Sequence, residues 1–172
     1  MADGIFRQAN AADIPAVWGI ITDAKALMAA SGSTQWNESY PLPSTIEGDV
    51  SRGEAYVIEA CGRLAAYGVV SFGGESAYDN LSGAWLVETC RYATVHRLAV
   101  AAECRGHGYA STFIDHALRL AVGRGCPSMR ADTAECNAVM SALLLRKGFV
   151  RCGKVCYPGV ARGERIAYEK LL

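Results

Sequence analysis

The sequence predicts an α/β fold, with residues 1–172 read as one domain. Three observations predict it. Strand-like and helix-like apolar patterns alternate along the chain in the order βααβββαβαββ. An apolar run ending in Leu98-Ala99-Val100 passes through a short glycine-containing segment into a helical pattern at Phe113, Ile114, Ala117, Leu118, Leu120 and Ala121. Hydrophobic residues make up 51% of the 172 and charged residues 20%, enough for a full core and too little charge for disorder.

Each element follows from local chemistry. Residues 5–9 read as a first strand. A helix follows, opened by Asn10 or by Ala12-Asp13 with Asp13 as N-cap, and with Ile14, Val17, Ile20, Ile21, Ala24 and Leu27 on one face. Residues 31–44 form a polar loop carrying Trp36 and Tyr40. Ser44 is placed to cap a second helix ending near Arg52-Gly53, with Glu47 completing a capping box. Residues 55–61 and 64–72 read as two strands around a tight Gly62-Arg63 turn. Residues 73–91 carry the least pattern and read as a long loop. A strand over 92–100 leads to a helix from Ser111 to about Gly123, ended by Gly125 and Pro127. A short strand over 129–133 and a helix over 137–147, stopped by Gly148, come next. Residues 149–157 and 165–171 form a closing hairpin around 158–163.

Composition excludes several function classes. Seventeen basic and seventeen acidic residues leave no net charge, and the basic ones are scattered, so neither nucleic acid nor an acidic membrane surface is expected as a partner. No window of 18 apolar residues exists, and the segment around Asp3 and Arg7 lacks the apolar core of a secretory signal; a cytoplasmic location is expected. Seven cysteines without paired C-x-x-C spacing fit reduced thiols rather than a disulfide framework or a zinc site, and no metal motif is present. The Gly-x-Gly lacks the third glycine and the downstream acid of a dinucleotide fold.

The segment Arg105-Gly106-His107-Gly108-Tyr109-Ala110 has the chemistry of a phosphate site. A helix start presents backbone N–H groups and the positive end of the macrodipole. Gly106 and Gly108 let backbone approach an anion, and Arg105 adds a fixed charge shaped for phosphate oxygens.

This segment resembles motif A of the GCN5-related N-acetyltransferase (GNAT) superfamily, whose signature is met by Arg105, Gly108 and Ala110. Asn137 and Lys147-Gly148-Phe149 resemble its motif B, and the element order matches across essentially the whole chain. The resemblance implies a mixed, mostly antiparallel sheet of about seven strands, with about four flanking helices and a V-shaped splay between the fourth and fifth strands. It implies acetyl-CoA as co-substrate, its diphosphate on backbone around Arg105, Gly106, His107, Gly108, Tyr109, Ala110 and Ser111. Its pantetheine would lie along Leu98, Ala99 and Val100, with Asn137 on a pantetheine amide or capping its helix. A backbone N–H at Leu98 would polarise the thioester oxygen.

The catalytic residues are less marked. His96, on the motif A strand, is the first candidate for the base, with Glu88 and Glu38 as rivals. The family's usual thiolate acid is a Tyr seven residues after the motif B Asn; here that residue is Leu144. Tyr157 is the substitute, with Tyr168 as alternative. Arg97 alternates to the face opposite His96 and is placed either to pair with a carboxylate or to bind an acidic acceptor. Trp36, Tyr40 and Glu88 are candidate acceptor-binding residues, and the two aromatics either stack on substrate or anchor their loop. Cys136 is a helix-start thiol, either reactive or a bystander. The expected reaction is acetylation of a primary amine on a small molecule or peptide. The alternatives are a non-catalytic CoA-binding module and a protein N-terminal acetyltransferase. The resemblance also admits a homodimer, through sheet edges or the C-terminal hairpin.

Overall fold

The computed structural model describes residues 4–157 and 163–172. The element order is β1 (Ile5–Gln8), α1 (Ile14–Ala30), α2 (Pro43–Ser51), β2 (Ala55–Ala60), β3 (Arg63–Ser71), β4 (Ser82–Gly83), β5 (Ala93–Val100), α3 (Tyr109–Gly123), β6 (Ser128–Thr133), α4 (Ala138–Arg146), β7 (Val150–Cys156) and β8 (Glu164–Leu171). The strands form one mixed sheet in the order β1-β2-β3-β5-β6-β8-β7-β4. Only the β5–β6 pairing is parallel among those described, over Ala93↔Met129, Thr94↔Arg130 and Val95↔Ala131. The eighth strand is β4, inside the segment expected to be a plain loop. Contacts divide the chain into two compact units, Met1–Val70 with His96–His116, and Ser71–Val95 with Ala117–Leu172.

In the first unit, α1 and α2 bury Val17, Ile20, Ile21 and Ile46 against Val57, Tyr67 and Val69 of β2 and β3. Each such aliphatic burial contributes roughly 1.5–3 kcal/mol. Leu27 does not join this face: at the last turn of α1 it is 53% exposed. The chain enters α1 through a short 3-10 turn capped by Asn10, whose side chain accepts from Ala12 N. Asp13 takes the N-cap position of α1 as expected but makes no side-chain cap bond to it; its carboxylate accepts from Asn10 N and from Arg7. The cap of α2 also differs from expectation. Leu42 is the N-cap, Pro43 takes the first turn with its φ preset for helix, and Thr45 Oγ1 accepts from Leu42 N, leaving Ser44 inside the helix. The β2–β3 turn centres on Cys61-Gly62, both at positive φ (51° and 72°), one residue earlier than expected. Two left-handed residues match the twist of a two-residue hairpin.

Arg7 ties β1 to both Asp13 and Glu59 of β2. The side-chain bond from Arg7 holds the Asp13 carboxyl below the usual carboxylate range. A depressed carboxyl contributes stability above its unfolded pKa, and the contribution is lost as pH falls through the folded value. Arg7→Met is therefore expected to destabilise at neutral pH, with the difference from wild type shrinking below about pH 4, as denaturant titrations at both pH values would show.

In the second unit, β6 and β8 carry a buried charge pair. Arg130 Nε donates to Glu169 Oε1 at 2.9 Å, with both side chains almost fully buried. The guanidinium lies 4.0 Å from the Trp85 ring centre and 3.9 Å from that of Tyr92. It also donates to Val87 O, while Glu169 accepts from Ser128 Oγ and Leu86 N. This pair orders the 73–91 segment, which contains a 3-10 turn over Ser76–Asn80 as well as β4. Glu169→Ala leaves Arg130 buried without its counter-charge and is expected to cost about 3–5 kcal/mol in denaturant unfolding. β4 meets β7 through Gly83↔Gly153, where a Cβ on either residue would overlap the other strand's backbone. The connection between β7 and β8 at 158–162 lies outside the described residues. Among the described residues no helix is long and apolar enough to cross a membrane.

Candidate functional site

β5 ends at Val100, a 3-10 turn spans Ala102–Cys104, and α3 starts at Tyr109. Between them Gly106 and Gly108 have φ of 78° and 86°, a conformation open to glycine. A Cβ added to either meets nothing within 4 Å, so the backbone shape, rather than crowding by the protein, demands glycine. The first bond of the α3 ladder runs from Thr112 N to Gly108 O, so the N–H groups of Ala110 and Ser111 precede the ladder. His107 Nδ1 lies 2.9 Å from Arg105 O and is exposed. Arg105 Nε donates to Val100 O at 3.3 Å, pinning the guanidinium against the end of β5. Its Nη2 is buried with no hydrogen-bond partner among the described residues. A buried donor without an acceptor is costly, and an anion is the partner a guanidinium at a helix start is suited to. The residues present therefore fit the diphosphate of coenzyme A.

His96, Arg97 and Leu98 are half-buried in the middle of β5, and Ala99 is buried. Arg97 has φ of 51°. Left-handed backbone inside a strand breaks the period of two, so the simple opposition of His96 and Arg97 does not hold here. Arg97 pairs with a carboxylate, one of its two expected roles. It donates to both oxygens of Asp49, at 2.9 and 2.7 Å, and its Nη1 donates to Tyr40 Oη at 2.8 Å. Asp49, on α2 and fully buried, also accepts from Tyr67 Oη at 2.7 Å and Arg52 Nη2 at 2.6 Å. Burial, and then the Asp49 charge, push the Tyr67 phenol up, so it stays a donor. The sequence did carry a signal for Asp49: a carboxylate on the apolar stripe of Ile46 and Val50. Trp36 is packed in the first unit's core, the anchoring role, while Tyr40 is 39% exposed. Glu38 is exposed.

In the second unit, Asn137 caps α4, its Oδ1 accepting from Met140 N at 3.1 Å. Leu144 is buried in the core and Cys136 is exposed. Tyr157 Oη and Tyr78 Oη donate to the same oxygen of Asp132, at 2.9 and 2.7 Å. Burial, followed by the Asp132 charge, holds the Tyr78 phenol well above its ordinary pKa. Tyr168 is buried. Glu88 is exposed beside a cavity of about 700 Å³ that Tyr78, Trp85, Tyr92 and Glu75 also line.

The profile of the acetyltransferase (GNAT) family matches residues 24–149. The chain belongs to the GNAT family. This GNAT protein is 37% identical to a GNAT-family acetyltransferase from Streptococcus agalactiae, over 98% of this chain and 95% of that one, with a TM-score of 0.89. A GNAT-family acetyltransferase from Listeria monocytogenes shares the fold at 22% identity, covering 98% and 95% of the two chains with a TM-score of 0.74. A ribosomal-protein-alanine N-acetyltransferase from Brucella melitensis shares it at 23%, covering 98% and 99%, with a TM-score of 0.70. No curated protein matches the sequence. Family membership makes this protein an acyltransferase, and the family generally uses acetyl-CoA.

Proposed function

We propose that this GNAT acyltransferase moves an acetyl group from acetyl-CoA to a primary amine of a small molecule or peptide in the cytoplasm. One observation carries the reading: the buried, unpartnered Nη2 of Arg105 beside two left-handed glycines at the start of α3. Acetyl-CoA supplies a thioester carbonyl that an amine can attack directly. Backbone N–H groups over residues 105–111 and the Arg105 guanidinium bind its diphosphate. The backbone of Leu98, Ala99 and Val100 takes the pantetheine, Leu98 N–H polarises the carbonyl, and Asn137 adds a polar contact. His96 removes the proton from the attacking ammonium. Tyr157, whose proton rests on Asp132, is the acid for the leaving thiolate. Tyr40 and Glu88 meet the acceptor, with Trp36 fixing the loop that carries Tyr40.

Calorimetry with acetyl-CoA, followed by thiol release on adding spermidine, tyramine, lysine or an alanine-terminated peptide, tests this. Binding with thiol release on at least one amine is the expected result. Absence of binding overturns it. Binding without release on any amine selects a non-catalytic CoA-binding module, the reading that a buried Leu144 in the usual tyrosine position favours.

A further inference from the structure

We infer that Arg97 is a positioning residue that couples the kink in β5 to the loop over residues 31–42 and so sets how the amine acceptor is held. The inference rests on the acyl-transfer reading and adds a residue to it.

Three observations converge. Arg97 holds a left-handed conformation that a non-glycine residue keeps only when its surroundings over-determine it. The determinant is Asp49, fully buried, which takes two of its four hydrogen bonds from Arg97. A buried ion pair is poor as a stabilising device, because apolar residues of the same volume serve as well; fixing one geometry is the better-attested use. The third observation gives that geometry an object. With two nitrogens on Asp49, the guanidinium spends its remaining one, Nη1, on the hydroxyl of Tyr40.

The neighbours of Arg97 give the link its meaning. His96 and Leu98 flank the kink, and they are the proposed base and the proposed carbonyl-polarising N–H. Tyr40, partly exposed, sits at the far end of the tether, its backbone paired with Asn37 across a tight turn. The Arg97 side chain therefore joins the strand segment that carries the chemistry to the loop that faces the acceptor. Lys25 makes a separate tie, donating to Pro41 O from α1. Loss of the Tyr40 hydroxyl removes the polar tie to β5 and leaves the Lys25 bond and the packing of Trp36 in place.

Tyr40→Phe tests the coupling, because it keeps the ring and removes the acceptor of the Arg97 bond. The expected result is a KM for the amine raised about ten-fold, the size of one hydrogen bond to a charged group. The affinity for acetyl-CoA stays as in wild type, and amide exchange over 33–42 quickens while that of α3 does not. Arg97→Lys keeps the charge, loses the two-pronged grip on Asp49, and is expected to raise the same KM and lower kcat as well. Unchanged exchange over 33–42 in Tyr40→Phe overturns the tether, and an unchanged KM overturns the positioning role. Failure of the wild-type protein to bind acetyl-CoA is a different result: it removes the acyl-transfer reading, and with it the role toward an acceptor, while exchange still decides whether the tether exists.

Discussion

Arg105→Glu is expected to abolish acetyl-CoA binding. The substitution takes away the one buried guanidinium nitrogen that has no partner among the described residues. It also removes the bond to Val100 O that fixes the group at the end of β5. A carboxylate then stands where a diphosphate is to bind. For unit charges about 4 Å apart near a protein surface, the interaction is worth about 4 kcal/mol, attractive before the change and repulsive after it. Even if screening halves that, affinity falls by roughly a thousand-fold across the reversal. Arg105→Lys separates charge from shape: it retains the attraction and loses the planar fork, so an intermediate affinity is expected. Calorimetry returning wild-type affinity for Arg105→Glu would remove the glycine turn from coenzyme binding.

His96→Ala is expected to lower turnover by roughly 10²–10⁴, the usual contribution of a placed general base. The pH profile is the sharper readout. A base must be neutral to accept a proton, so activity falls on the acid side as an imidazole protonates. Removing His96 should flatten that limb while leaving affinity for acetyl-CoA alone. A mutant whose acid limb matches wild type would hand the role to another group, with Glu88 next to be replaced.

The motif A segment was legible because its backbone shape is demanded by residue type. Glycines at positive φ and an apolar helical stripe leave little choice about what lies between a strand and a helix. Arg97 was not legible in the same way. Nothing about an arginine announces left-handed backbone, and the group that enforces it, Asp49, is 48 residues away. The 73–91 segment was opaque for a related reason: its order comes from Arg130 and Glu169, contributed by strands β6 and β8. At the start of α2, Pro43 was the stronger signal than Ser44, since a preset φ at the first turn outweighs a hydroxyl that a neighbouring threonine can replace. Leu27 shows the limit of periodicity, because a stripe says which way a side chain points and not whether anything lies there to cover it. The settings of Tyr40 and Glu88 were not readable at all, because only the folded chain supplies the groups around them.

The two glycines where β4 meets β7 bear on how copies of the protein behave toward one another. An outermost strand left bare is an adhesive surface, ready to recruit a foreign strand by its amides and carbonyls. Here a strand of only two residues covers part of that surface, and it gets close enough because neither Gly83 nor Gly153 has a side chain. A dimer built by adding a strand to β7 at this point would first have to peel β4 away. Two missing methyl groups thus decide which strand occupies that stretch of β7.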